Sequence, residues 1–247
     1  MVDPPSKVDP RWGAEQREEK AQGILHTLLA IEGAEVLRGT WVDVGCGSGA
    51  IAADLAGRVD RIVGIDPEAW SRWPDLSRAH ANLRFHAGSY RDLAAILSPA
   101  SVDVAVCNQV YEHVDSPPDL LACIHRVLRS GGICYFAGPN LLWPIEPHVH
   151  LPFVHWIPRA AAIRLLQWVG GERHRDLDAH SLDFWRLRRL FGRTGFSARS
   201  AFAARARAGV DLGDTGLAMR AAASMPGIVE RAMQPLLPGF VYVLRKI

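Results

Sequence analysis

Apolar and polar positions along the chain fall into two rhythms. Between residues 11 and 33 the apolar side chains Ala21, Ile24, Leu25, Leu28 and Ile31 recur at helical spacing with charges on the remaining face, which predicts an amphipathic helix. A short β-rich run at 40–44 then leads into a cluster of glycines, and the residues after it, 50–56, have helix-forming composition. The order repeats with a strand at 61–65 that stops at Asp66, a helix over 71–82 and a strand at 83–87. A fourth strand is predicted at 101–107. The helix after it has Ser116 as N-cap, Pro117 at the first helical position, Leu120, Ile124, Val127 and Leu128 on one face, and Gly131-Gly132 as its stop. Residues 133–137 then read as a fifth strand.

Strands that alternate with helices need parallel crossovers, so this half predicts a parallel sheet covered on both faces. After Pro139 the rhythm breaks into a Pro-, His- and Trp-rich segment at 140–158, followed by helices near 159–169 and 181–194. Two further strands, at 195–202 and 239–246, flank an Ala- and Met-rich helical stretch at 212–233. The expected fold is α/β: a Rossmann-like, seven-stranded, doubly wound sheet with helical insertions after strands 5 and 6. We expect a single domain over 1–247, comprising an N-terminal helix (1–39), an α/β core (40–139), an insertion (140–195) and C-terminal strands with an inserted helix (196–247).

Composition narrows the function classes. With 49% apolar and 22% charged residues among 247, the chain has ample material for a core. Residues 1–10 lack the apolar stretch of a secretory signal, and the longest uncharged runs, 133–145 and 147–158, are too short and too Pro-interrupted to span a bilayer. A cytoplasmic protein is expected. Cys46, Cys107, Cys123 and Cys134 show no CxxC spacing, which disfavours both structural disulfides and a zinc site. The net charge of +2 hides an asymmetry: residues 1–150 carry 13 basic and 19 acidic side chains, residues 151–247 carry 15 and 7. No aromatic-basic module accompanies the arginines, so no nucleic acid is expected. The basic, apolar half instead suggests a greasy acceptor or peripheral contact with an anionic membrane, the rival being a lid or dimer helix buried against protein.

The candidate chemistry starts at Asp43-Val44-Gly45-Cys46-Gly47-Ser48-Gly49. This strand-to-helix turn lets backbone approach a ligand and presents free N–H groups at a helix start. Gly45, Gly47 and Ala50 also satisfy the G-x-G-x-x-G/A pattern of dinucleotide enzymes, and Asp66, 21 residues after Gly45, suits a ribose hydroxyl in either reading. The glycines and Asp66 therefore indicate a ribose-bearing ligand without naming it.

Four linked motifs add more: VDVGCGSG (42–49), VGID (63–66), VDVAVCNQVYEHV (102–114) and RVLRSGG (126–132). In order and spacing, residues 42–139 resemble the class I S-adenosylmethionine-dependent methyltransferases, particularly those that methylate small molecules and quinone-like lipids. The resemblance implies S-adenosyl-L-methionine as cofactor, S-adenosyl-L-homocysteine as product, and an antiparallel final strand. It also implies that Asp43 and the Gly45, Cys46, Gly47 and Gly49 turn hold the methionine part, and that Asp66, with Pro67 beside it, takes the ribose. The turn after the third strand flanks the adenine; where relatives commonly carry Gly-Asp this chain has Gly88-Ser89, leaving Ser89 or Tyr90 to fill that place. Asn108, Gln109 and His113 would line the cofactor pocket.

Methyl transfer needs orientation and a dry site, and a base only where the acceptor must lose a proton. His113, His148 and His150 are the candidate catalysts, the latter two favoured because ligands in open α/β sheets bind beyond the carboxyl ends of the strands. Trp143, His148, His150, His155 and Trp156 are candidate acceptor contacts. Plainer readings stand beside these: His113 as a loop-bonding residue, the tryptophans as packing, Cys46 as a spacer, and Glu146 with His148 and His150 as too loosely spaced a set to expect a metal. The expected function is methyl transfer, with oxygen as the first guess, to a small-molecule or lipid-like acceptor. An NAD(P)-dependent oxidoreductase and a catalytically silent methyltransferase-like binding protein remain alternatives.

Overall fold

The computed structural model describes residues 14–145, 151–170 and 181–247. Its strands are β1 (Thr40–Val44), β2 (Arg61–Asp66), β3 (Leu83–Ala87), β4 (Val102–Asn108), β5 (Leu128–Pro139), β6 (Phe196–Ser200) and β7 (Gly239–Lys246). They form one sheet in the order β3-β2-β1-β4-β5-β7-β6. The first five run parallel, and β7 lies antiparallel between β5 and β6.

Both faces of the sheet are covered, which is why its inner strands read as near-continuous apolar runs. Val42, Val44, Ala105, Cys107 and Phe136 face the core shared with α5 (Pro117–Val127) and α7 (Phe184–Arg193). The alternate residues, among them Trp41, Val104, Val106 and Tyr135, face α1 (Ala14–Glu32) and α2 (Ala50–Ala56). Asp43 shares the parity of Trp41, so the period of the strand directs a carboxylate towards the α1 and α2 side at the end of β1.

Several boundaries differ from the expectation, each for a local reason. The helix after β2 is shorter than 71–82 and becomes α3 (Trp73–Ala79). Helix α5 ends at Val127, ahead of the glycine pair, because Leu128 is already extended and pairs with Val102. The pair lies inside β5, where the β4 register shifts: a Cβ on Gly132 would sit 2.9 Å from the Arg129 carbonyl and 3.2 Å from that of Val102. Close backbone approach at an irregularity, not a helix stop, explains that glycine.

Strand β6 stops at Ser200, and Ala201 opens α8 (Phe202–Asp211). The 212–233 stretch divides into α9 (Leu217–Ala223) and α10 (Gly227–Met233), since Gly213, at φ +103°, ends α8 and Pro226 separates the two later helices. A short α4 (Leu93–Ile96) precedes β4, and α6 (Arg159–Gly170) lies in the insertion after β5. Among the described residues no helix is long and apolar enough to cross a membrane.

Candidate active site

The glycine turn from β1 into α2 is fixed from three sides. The N–H groups of Gly45 and Cys46 donate to the Ile65 carbonyl at 2.8 and 3.1 Å, tying the turn to the end of β2. The Gly47 N–H donates to Asp66 Oδ2 at 2.9 Å, while the Glu68 N–H donates to Asp66 Oδ1 at 3.0 Å. Trp73 Nε1 donates to the Gly47 carbonyl at 3.0 Å, and its ring stacks on Phe85 with centroids 5.0 Å apart. Gly49 adopts φ +82°, where a Cβ would lie 2.5 Å from the Phe85 ring, so this position requires glycine for both conformation and space.

Beneath the turn, Asp43 is 3% exposed and its Oδ2 has no hydrogen-bond partner among the described residues. Burial, and then repulsion from Asp66, pushes its carboxyl up to about 7, against the opposing pull of Arg17. Arg17 comes from α1, donates to Ser48 Oγ at 2.6 Å, and feels the charges of both Asp43 and Asp66. Burial lowers its pKa, a sign that this guanidinium stands partly out of water beside the turn. The Cys46 thiol is also buried and shifted upward by desolvation, which makes it packing and not a nucleophile.

A cleft of about 200 Å³ opens over the turn, with Gly45, Asp66, Pro67, Tyr90, Gln109 and His113 in its walls. Gln109 holds a left-handed φ of +59°, uncommon for a side-chain-bearing residue, and its N–H donates to Ala137 at 2.8 Å. The Tyr90 hydroxyl donates to Asp115 Oδ1 at 2.8 Å, Arg91 donates to the other oxygen at 2.8 Å, and together they hold the Asp115 carboxyl down at about 2. Tyr90 is thereby fixed at the wall.

Ser89 caps the short 3₁₀ turn at Tyr90–Asp92, accepting from the Arg91 N–H and bonding Asp92. Its hydroxyl serves local structure. His113 is partly exposed, with Nε2 4.0 Å from the fully buried carboxylate of Glu112. Two larger clefts, about 350 Å³ by Arg38 and Arg129 and about 630 Å³ beside β6, do not include the glycine turn.

Thus six of the residues singled out in the sequence line one cleft, and Asp43, Cys46, Gly47 and Gly49 form the turn beneath it. Asn108 ends β4, half-buried. Trp143 and Trp156 follow the end of β5: the Trp143 N–H donates to the Asn140 carbonyl at 3.0 Å, and Trp156 Nε1 to the Leu141 carbonyl at 2.5 Å. His148 and His150 lie outside the described residues, as does the His155 side chain. Arg17 gave no sign in the sequence, because 26 residues separate it from Asp43 and only the packing of α1 brings it over the turn.

The arrangement suits a ligand with a cationic group over Asp43, an anionic group within reach of Arg17 and a vicinal diol facing Asp66. Comparison with known proteins finds relatives over part of the chain and the same fold over most of it. The ubiquinone biosynthesis O-methyltransferase of Paracidovorax citrulli is 33% identical over 126 residues, 48% of this chain and 49% of that protein. Its counterpart from Colwellia psychrerythraea is 26% identical over 123 residues, 47% of this chain and 49% of its own. The chain therefore spans about half the length of the curated relatives it matches.

Among solved structures, an S-adenosylmethionine-dependent methyltransferase from Mesorhizobium loti superposes with a TM-score of 0.56 at 16% identity, covering 96% of this chain and 99% of that one. A 1,6-didemethyltoxoflavin-N1-methyltransferase from Burkholderia thailandensis, with bound 1,6-didemethyltoxoflavin and S-adenosylhomocysteine, gives 0.55 at 16% identity, covering 96% and 81%. These two share the fold. The antiparallel β7 departs from the 3-2-1-4-5-6 parallel order of dinucleotide enzymes, which removes support from the oxidoreductase alternative. With the methyltransferase-domain family model matching residues 14–201, the chain belongs to that family.

Proposed function

We propose that this chain binds S-adenosylmethionine in the cleft over the glycine turn and methylates an oxygen of a small-molecule or lipid-like acceptor. The observation that carries the reading is the buried Asp43 oxygen with no partner among the described residues, because a carboxylate removed from water calls for a cationic ligand group. Asp43 meets the amino group of the methionyl end and Arg17 its carboxylate. Asp66, already oriented by two backbone N–H groups, keeps lone pairs for the ribose hydroxyls. Pro67 and the pinned Tyr90 flank the base. The names of the ubiquinone biosynthesis relatives support an oxygen acceptor.

The bound cofactor supplies a methyl group on a sulfonium, open to in-line displacement. The protein's share is placement and exclusion of water, with a base where the acceptor must lose a proton. Of the histidines singled out, His113 is the one whose described side chain meets the cleft, next to the buried Glu112. It is our candidate for the proton.

Titration calorimetry with S-adenosylhomocysteine, with NADH in parallel, tests the reading. Micromolar binding of the former and none of the latter is expected, and Asp66→Ala should weaken it at least a hundredfold through lost charge-assisted bonds, each about 1.5–3 kcal/mol. Arg17→Ala is expected to weaken it by about ten- to a hundredfold, one such bond. Absence of S-adenosylhomocysteine binding would overturn the proposal. Binding without turnover across phenolic and lipid acceptors would point to the silent binding protein instead.

A further inference from the structure

Helix α10 is inside out. Its polar residue Glu230 is buried, bonded to Ser200 Oγ of β6, and Gln234, one turn on, is buried and accepts from the Tyr242 hydroxyl of β7 at 2.9 Å. The apolar side chains of the same segment point the other way. Ile228 is 72% exposed and Leu236 59%, with Val229 and Met233 exposed beside them and Leu217, at the start of α9, 85% exposed. A surface helix in water is expected to do the reverse, burying its apolar stripe. Here the polar anchor to the sheet holds an apolar face outward.

The position of this face matters. The Asn140 amide, just past the end of β5, donates to the carbonyls of Pro235 and Leu237 at 2.9 Å each, and Gly239 pairs with Pro139. The segment after α10 is thus held at the carboxyl edge of the sheet, the edge on which the cofactor cleft opens. Between residues 215 and 236 the exposed formal charges are Arg220 and Arg231, and the one acid, Glu230, is buried. Arg199 and Arg207 stand nearby in the cleft beside β6, with no carboxylate within 4.0 Å among the described residues.

We propose that the outer face of α10, with Leu217 and Leu236, seats the protein on an anionic lipid bilayer. The apolar side chains would enter the headgroup boundary while Arg220 and Arg231 meet lipid phosphates. A second copy of the chain is the less suitable occupant, because a two-fold interface would set this cationic face against itself. Seating at the carboxyl edge would present the cleft towards the bilayer, where a lipid-like acceptor resides. The docking itself needs neither cofactor nor acceptor, so it stands independently of the proposed reaction.

The test is flotation of the whole chain with vesicles of phosphatidylcholine alone or with phosphatidylglycerol added. Binding is expected only to the anionic vesicles and should fall as salt rises. Ile228→Glu with Leu236→Glu should reduce it at least tenfold, and Arg220→Gln with Arg231→Gln by about fivefold per arginine. Trp156→Ser with Trp168→Ser, two exposed side chains of the insertion after β5, the second in α6, should leave it largely intact. Calorimetry with S-adenosylhomocysteine on the Ile228/Leu236 variant reports whether the cofactor site is preserved.

Failure of the unaltered chain to float, retention in the Ile228/Leu236 variant, or loss in the tryptophan variant alone would each overturn the proposal. So would a dimer in solution that the Ile228/Leu236 variant converts to monomers, since the face would then belong to a second copy.

Discussion

Asp43→Asn is expected to raise the melting temperature of the ligand-free protein and, in the same variant, to abolish S-adenosylhomocysteine binding. The carboxyl stands at about 7 in the folded chain against 3.8 for an unperturbed group. Between those values the unfolded chain gives up a proton that the folded chain retains. Stability from this group is therefore complete below about pH 4 and declines as pH rises through 7. Each pKa unit corresponds to about 1.4 kcal/mol, so the ionised carboxylate costs at most about 4 kcal/mol, and on the order of 2 once the site relaxes. The variant should melt roughly 4–8 °C higher at pH 8 and no higher at pH 4, measured by calorimetric scans at both values. A gain independent of pH would show that ionisation is not the cause. Binding of a ligand ammonium needs the ionised form, so affinity of the unaltered chain should weaken by about tenfold per pH unit below 7.

Gly49→Ala is expected to unfold the turn's support and with it the proposed cofactor site. The added methyl would sit 2.5 Å from Phe85, whose stacking partner Trp73 holds the Gly47 carbonyl, and the backbone would keep φ +82°. Left-handed strain of about 1–3 kcal/mol and overpacking of a similar size add, giving roughly 3 kcal/mol. That predicts a melting temperature lower by about 6–12 °C and S-adenosylhomocysteine binding weakened at least tenfold. The companion change Phe85→Leu should restore much of the lost stability if the ring contact is the main term. No restoration would assign the cost to the backbone.

The legible parts of the sequence were those where local and tertiary preferences agree. Strands β1, β3 and β7 and helix α2 lie where the pattern puts them, because β-rich runs bounded by glycine or charge leave little freedom. The Gly131-Gly132 pair misled, since a glycine forced by backbone approach inside a strand looks the same in sequence as a helix stop. The 212–233 stretch read as one helix because alanine and methionine favour helix on either side of Gly216 and Pro226. Asp43, Asp66 and the glycines marked the turn from β1 into α2 that the proposed function assigns to the cofactor. The orphaned oxygen of Asp43 and the reach of Arg17 depend on burial and on packing across 26 residues, which no local pattern encodes.

The strand order also bears on how the chain comes together. β7 is made after β6 yet lies between β6 and β5, and among the described residues β6 has no other neighbour in the sheet. While residues 239–246 are still being synthesised, β5 shows a bare edge of unpaired N–H and carbonyl groups, and β6 has nothing to pair with. A nascent chain at that stage offers a template for association with other chains, the hazard of an uncovered edge strand. Substitutions in β7 should accordingly appear in cells first as loss of soluble protein, and the yield should depend on chaperones that shield the β5 edge until the last strand arrives.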